Sequence, residues 1–220
     1  MHARKVRLFK DPVSALTHFA GFLASLIGAW VLLQGSDGPK QVGMAVYGVT
    51  LAVLFLASST YHFFDIGERG NRWLRRLDHA AIFLLIAGSY VPPMQHLLDG
   101  PWRTGMLVAV ATLAILGIVF KLLWIDCPDW LGTTIYLVLG WLAVIPAHRI
   151  LPQLQPAELA TLLSGGLAYS LGAVVFVLER PDPWPPWFGH HEIWHLFVLA
   201  GAGLHFAFMV QLLDMQIPGI

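Results

Sequence analysis

The sequence predicts an all-α, polytopic membrane protein with seven transmembrane helices. Its 220 residues are 57% hydrophobic and only 12% charged, about half the charged share of a soluble domain. Seven apolar windows are long enough to cross ~30 Å of hydrocarbon as helices. No long polar region remains for a further domain, so residues 1–220 are expected to form one membrane domain.

The predicted spans run at about 13–33, 41–63, 79–98, 104–124, 131–148, 158–178 and 191–213. Glycine, proline and aspartate separate most of them, at residues 34–39, 99–101 and 126–129. A basic segment precedes the first window, and no small-residue cleavage site follows it. We therefore expect a retained span there, not a signal peptide.

Lysine and arginine predict the orientation of the spans in the membrane. One side collects ten basic residues: Arg4, Lys5, Arg7, Lys10, Arg69, Arg72, Arg75, Arg76, Lys121 and Arg180. The other side has three: Lys40, Arg103 and Arg149. This asymmetry places the N-terminus in the cytoplasm and the C-terminus outside.

Several function classes are disfavoured by composition. The net charge of zero by itself says nothing about partners, and no nucleic-acid partner is expected. Cys127 is the only cysteine, so an intrachain disulfide is impossible. No internal repeat is evident, which argues against an inverted-repeat transporter.

The last span begins with a pair of histidines that suits a metal. His191 and His195 are four positions apart, so on a helix they lie on one face, about one turn from each other. Two imidazoles at this spacing are suitable zinc ligands. The alternative is an interfacial helix start with two exposed histidines.

Three further polar residues arrive at the same membrane level in the predicted topology. His62 ends the second span, Asp78 begins the third, and Ser58 lies one turn before His62. An open zinc site needs three protein ligands and a position for water. His62 would supply the third ligand beside His191 and His195. Asp78 could hold and deprotonate the water, and Ser58 could orient the water or the imidazole.

Each of these residues also has a structural interpretation. His62 could be a hydrogen-bonded or snorkelling histidine. Asp78 could pair with Arg75 or Arg76, or cap the third helix. Ser58 could simply be a small residue at a helix crossing.

The run from His191 to His195 also matches the H-E-x-x-H pattern of zinc metalloproteases, in which Glu192 would be the general base. No carboxylate follows that suits a third ligand, because only Asp214 comes later and it falls on the opposite side of the membrane.

The remaining histidines are expected to lie outside the site. His18 is expected to be a hydrogen-bonded packing residue. His205 lies about 15 Å further along the last helix than His195 and could line a cavity. The small residues 200–203 favour close helix packing, with a lipid-holding cavity as the alternative.

Three motifs together resemble the haemolysin III branch of the progestin and adipoQ receptor (PAQR) family. They are an S-x-x-x-H element at 58–62, a third-helix signature at 76–92 and an H-x-x-x-H element at 188–195. Lys121 and Gly140-Trp141 fit the same pattern, so the resemblance covers nearly the whole chain.

The resemblance implies a seven-helix fold with a zinc ion near the cytoplasmic face, in a bacterial cytoplasmic (inner) membrane. It implies His62, His191 and His195 as ligands, with Asp78 and Ser58 beside them. Some animal relatives are receptors with ceramidase activity, and the wider superfamily includes alkaline ceramidases. Bacterial members are named for haemolytic activity.

The leading prediction is a zinc hydrolase that acts on a lipid amide or related acyl bond, with Asp78 and Ser58 as catalytic residues. A non-enzymatic zinc-containing sensor or lipid-organising protein is the second hypothesis. A haemolytic pore is the third, although the spans offer almost no polar face. The expected partner is a membrane lipid, as substrate or ligand, and the oligomeric state is not predicted.

Overall fold

A computed structural model describes residues 10–185, 187–215 and 217 of the chain. Its α-helices are α1 (Pro12–Gln34), α2 (Gly38–Phe63), α3 (Gly67–Leu97), α4 (Gly100–Leu123), α5 (Asp129–Gly140), α6 (Ala147–Ile150), α7 (Pro156–Leu178) and α8 (His190–Leu212). Arg4, Lys5 and Arg7, on which the predicted orientation partly depends, lie outside the described residues. Within the described ranges the regular structure is helical, apart from one isolated bridge between Trp184 and Phe188.

The helix starts follow from local backbone chemistry. Gly38 and Gly100 have positive φ angles of 47° and 45°, which glycine adopts at little cost. Each is followed by a proline in the first turn, where the missing N–H has no intrahelical partner to lose. Short connections of this kind make sequential helices antiparallel neighbours.

Among the described residues, six helices are long and apolar enough to cross a membrane, and a bent pair raises the number to seven if it counts as one span. That pair replaces the fifth predicted span. α5 stops at Gly140, a 3₁₀ turn covers Trp141–Val144, and the chain bends by 43° before α6. Pro146 precedes α6 and cannot donate a backbone hydrogen bond, so the break has a local cause.

A tyrosine from α3 stabilises the break. The Tyr90 hydroxyl donates towards the carbonyls of Leu139 and Gly140, at 3.0 and 2.7 Å, and the Ala143 amide donates to it at 3.0 Å. These backbone groups lie where the α-helical hydrogen-bond pattern is interrupted, and a backbone group left unpaired in an apolar interior costs several kcal/mol. Tyr90 therefore supports irregular backbone inside the bundle.

α2 and α3 are the most deeply buried spans, and α1, α4 and α7 are the most exposed. α1 packs against α2 and α8, while α7 packs against α8. Large apolar side chains such as Ile27, Trp30 and Leu123 are exposed on the outer faces, as lipid contact requires. This arrangement brings the start of α1, the end of α2 and the start of α8 together.

Candidate metal centre

Three imidazole rings meet at the shared end of α1, α2 and α8. His62 lies in the last turn of α2, whereas His191 and His195 lie in the first two turns of α8. One ring nitrogen from each can be chosen so that all three lie within 4.8 Å of one another. Nε2 of His191 is 3.5 Å from Nε2 of His62 and 3.2 Å from Nε2 of His195.

These distances suit a metal ion. Zn–N bonds of 2.0–2.1 Å in a tetrahedral site separate the ligand nitrogens by about 3.3–3.4 Å. A neutral imidazole has one N–H and one acceptor nitrogen, so three converging Nε2 atoms cannot all satisfy one another. His62 and His195 are 3% and 2% exposed, which leaves little access to water. The donor set therefore fits a metal ion, and its chemistry leaves the choice of ion open.

His62 is oriented by a carboxylate. Its Nδ1 lies 2.9 Å from Oδ2 of Asp11, so the Nδ1–H donates to Asp11 and Nε2 is left free for a metal. Burial acts to raise the pKa of the Asp11 carboxyl, but the hydrogen bond and charge of His62 outweigh it and lower that pKa. An ionised carboxylate is the usual partner of a metal-ligating histidine.

Ser58 and Asp78 lie together beside the imidazoles. The Ser58 hydroxyl interacts with the Asp78 carboxylate and is 2.8 Å from Nδ1 of His18. Both Ser58 and Asp78 are buried, at 3% and 9% exposure. Asp78 does not cap α3, because the helix begins at Gly67, and Arg75 forms its ion pair with Asp126.

Glu192 caps the helix that carries two of the histidines. Its Oε2 accepts a hydrogen bond from the Gly189 amide at 2.8 Å, and its Oε1 accepts one from the Ser14 hydroxyl at 3.2 Å. Both carboxylate oxygens are therefore engaged in holding the start of α8. This gives Glu192 a structural role that the metalloprotease pattern does not include.

Other histidines have partners elsewhere. His190 bonds to Asp182 through its ring and its backbone amide, and Nε2 of His205 is 3.3 Å from the Leu162 carbonyl. The ring of His79 contacts the hydroxyl of Tyr136. His190, His205 and His79 therefore have their partners outside the histidine triad.

His18 was expected to be a packing residue, and its contacts lie in the site itself. Besides Ser58, its ring meets the backbone carbonyl of His195 at 3.4 Å and lies 3.8 Å from the His195 ring, centre to centre. Asp11 and Ser14 were not considered as site residues. Polar residues at positions 11, 14 and 18 repeat at helical spacing in an otherwise apolar segment, and that pattern could have indicated all three.

The fold and the cluster together define a class: a multi-pass helical membrane protein with a buried histidine triad that could hold a metal ion. The model of the haemolysin-III-related family matches residues 6–206. The chain belongs to that family, as the three sequence motifs predicted.

Known relatives agree with this assignment. The chain is 32% identical to hemolysin-3 of Bacillus cereus over 208 residues, which cover 92% of each chain. It is 32% identical to a hemolysin-3 homolog of Bacillus subtilis over 213 residues, 95% of this chain and 96% of that one. A heptahelical transmembrane protein of rice, named ADIPOR2, is 30% identical over 197 residues, 82% of this chain and 86% of its own.

Proposed function

We propose that this protein is a zinc-dependent hydrolase that cleaves an amide or related acyl bond of a membrane lipid. The observation that carries the proposal is the position of a three-histidine donor set beside a buried carboxylate and hydroxyl. Three protein ligands leave a coordination position open, which is typical of a catalytic zinc site and not of a closed structural one.

In this proposal His62, His191 and His195 hold the ion. When bound, zinc supplies a Lewis acid for the substrate carbonyl and lowers the pKa of a coordinated water to about 7. The Asp78 carboxylate accepts the proton of the attacking water as general base. The Ser58 hydroxyl keeps the carboxylate oriented, because the two side chains interact in the buried interior.

The proposed orientation puts this chemistry at the cytoplasmic face. Lys10 and the arginine-bearing start of α3 lie at the same ends of the helices as His62 and His191. α3 has 31 residues and extends for about 46 Å, so its basic first turns can reach beyond ~30 Å of hydrocarbon. By the positive-inside rule the N-terminus is then cytoplasmic, in a bacterial inner membrane.

In this proposal the small residues 200–203 of α8 contact the acyl chain of the lipid, and the surface open to that chain is narrower than the whole stretch. A Cβ added to Gly201 would lie 2.8 Å from the ring of Tyr169, whereas one added to Gly203 would meet nothing within 4 Å. The first glycine therefore serves packing of α8 against α7. Only the Gly203 side of the small-residue stripe is available to a lipid chain.

The test begins with metal analysis of purified protein. Wild type is expected to carry about one zinc per chain, and His191→Ala is expected to lose it. His190→Ala is the matched control, because that adjacent ring bonds to Asp182 outside the triad. The same proteins are then screened against vesicles that contain ceramides or other N-acyl lipids.

The proposal would be supported if the wild-type protein bound zinc and hydrolysed a lipid, and if His191→Ala abolished that hydrolysis. Zinc loading with no turnover on any N-acyl or ester lipid would favour a non-enzymatic sensor or lipid-organising protein instead. A wild-type protein that takes up no zinc would overturn the proposal altogether.

A further inference from the structure

Three polar residues form a stripe on the first helix and its N-cap. Asp11, Ser14 and His18 follow an i, i+3, i+7 pattern, which places them within about 60° of one another around a helix. Ser14 and His18 are 0% and 3% exposed. Burying such groups in an apolar bundle is costly unless they have specific partners.

Each residue of this α1 stripe contacts a different part of the candidate metal centre. Asp11 accepts the Nδ1–H of His62 at 2.9 Å. Ser14 donates to Glu192, the residue that caps α8, at 3.2 Å. His18 contacts Ser58 at 2.8 Å, and its ring stacks against that of His195.

We propose that the α1 stripe is the positioning shell of the metal centre, with Asp11 fixing the tautomer and direction of the His62 ring. This inference rests on the proposed metal site and adds residues outside the proposed ligand set. Which nitrogen of a histidine binds a metal is set by the hydrogen bond that the other nitrogen makes. The Asp11 carboxylate supplies that acceptor and strengthens the ligand.

The backbone keeps Asp11 at the correct distance. Its amide donates to the His62 carbonyl at 3.0 Å, and the Lys10 amide donates to the Phe63 carbonyl at 3.3 Å. The Lys10 ammonium also lies 3.4 Å from the centre of the Tyr61 ring, within cation–π range. The start of α1 is therefore fastened to the end of α2 by contacts that do not depend on the Asp11 side chain.

His18 and Ser14 act on the other two elements of the site. The tilted stack of His18 on His195 restricts rotation of that ring, while Nδ1 of His18 shares a hydrogen bond with the Ser58 hydroxyl, which also interacts with Asp78. Ser14 holds the cap of α8, from which His191 projects. One helix face thus orients ligands that come from two other helices.

The experiment measures zinc affinity in detergent by competition with a chelator. Asp11→Ala is expected to bind zinc 10- to 100-fold more weakly than wild type, as loss of a partner to a ligating histidine does. Asp11→Asn is expected to fall between them, because it keeps an acceptor oxygen and loses the charge. Asp126→Ala is the control, since it removes a carboxylate that pairs only with Arg72 and Arg75 among the described contacts.

A cobalt-substituted sample gives a second reading that a general loss of stability would not mimic. Asp11→Asn is expected to shift the visible absorption of bound Co²⁺, and His18→Ala is expected to shift it as well, with both proteins still monodisperse. The Asn variant keeps the test available if Asp11→Ala fails to fold.

The outcomes distinguish a failure of the positioning role from a failure of the proposed metal site on which it rests. The positioning role would be overturned if Asp11→Ala and Asp11→Asn bound zinc within twofold of wild type and left the Co²⁺ spectrum unchanged. If His191→Ala still lost its zinc in the same experiment, the metal site itself would be supported. Failure of the wild-type protein to bind either ion would overturn both.

Discussion

Nε2 of His62 lies 3.5 Å from Nε2 of His191, although 129 positions separate the two residues. The contact exists because the end of α2 and the start of α8 lie at the same end of the bundle, each beside α1. Neither ring could find this partner within its own helix. The convergence of distant helix ends is the structural basis of the candidate metal centre.

Metal removal is expected to lower thermal stability. A ligand present at a hundred times its Kd stabilises the folded state by about 2.7 kcal/mol, so stripping zinc with a chelator should reduce Tm in detergent. Readdition of zinc should restore it. His195→Ala should show a low Tm that neither treatment changes, and a zinc-dependent Tm in that variant would contradict the proposed ligand set.

Asp78→Ala is expected to keep its zinc and lose its turnover. General bases contribute about 10²- to 10⁴-fold to rate, so hydrolysis should drop by at least two orders of magnitude. Zinc content and lipid hydrolysis are measured on the same preparation, with Asp126→Ala as the control carboxylate. Turnover at the wild-type rate would remove Asp78 from the mechanism.

Substitutions of Glu192 distinguish a cap from a catalytic base. Gln at this position can still accept from the Gly189 amide through its oxygen and can donate to Ser14 Oγ through its nitrogen, so Glu192→Gln should retain both stability and hydrolysis. Glu192→Ala should cost about 1 kcal/mol, the usual effect of a lost cap, measured by thermal unfolding. If Glu192→Gln bound zinc normally yet hydrolysed nothing, the metalloprotease-like role of Glu192 would have to be restored.

Two buried tyrosines offer a paired test of the broken span. Tyr90→Phe leaves the backbone groups of Leu139, Gly140 and Ala143 without their partner and should destabilise the fold by about 1–3 kcal/mol. Tyr47 is equally buried, but its hydroxyl has no hydrogen-bond partner among the described residues. Tyr47→Phe should be neutral or slightly stabilising, and equal losses in the two variants would refute the role given to Tyr90.

Two glycines of α8 provide a comparable pair. Gly201→Ala would push a methyl group to 2.8 Å from the Tyr169 ring, and overpacking of this kind costs about 1–3 kcal/mol. Gly203→Ala meets nothing within 4 Å and should gain slightly from better helix propensity. Thermal unfolding of both variants decides the matter; a stable Gly201→Ala would mean that α7 and α8 are loosely packed there.

The family and the histidine cluster could be predicted from sequence because both depend on local patterns. The i, i+4 spacing of His191 and His195 fixes their common face, and the topology brings His62 to the same level. The broken fifth span was not predicted, because residues 131–148 are mainly apolar and Gly140 and Pro146 alone mark the position of the interruption.

The positioning residues were missed for a different physical reason. The sequence around a buried histidine such as His18 does not show whether its hydrogen-bond partner is a nearby carbonyl or a residue of the site. Asp11 lies just before α1 begins, where a helix cap is the ordinary interpretation, and its pairing with His62 is a tertiary contact. The sequence pattern that could have indicated them is the helical spacing of Asp11, Ser14 and His18 in an otherwise apolar segment.

α8 contributes two of the three imidazoles, and it leaves the ribosome after α1–α7 because it follows them in the chain. Until α8 inserts, His62 and Asp11 can pair with each other, but only one of the three proposed ligands is in place for an ion. In the proposed metal site, ion capture would therefore report that α8 has joined the helices made before it. A nascent chain arrested before residue 190 should acquire no ion, however much is supplied.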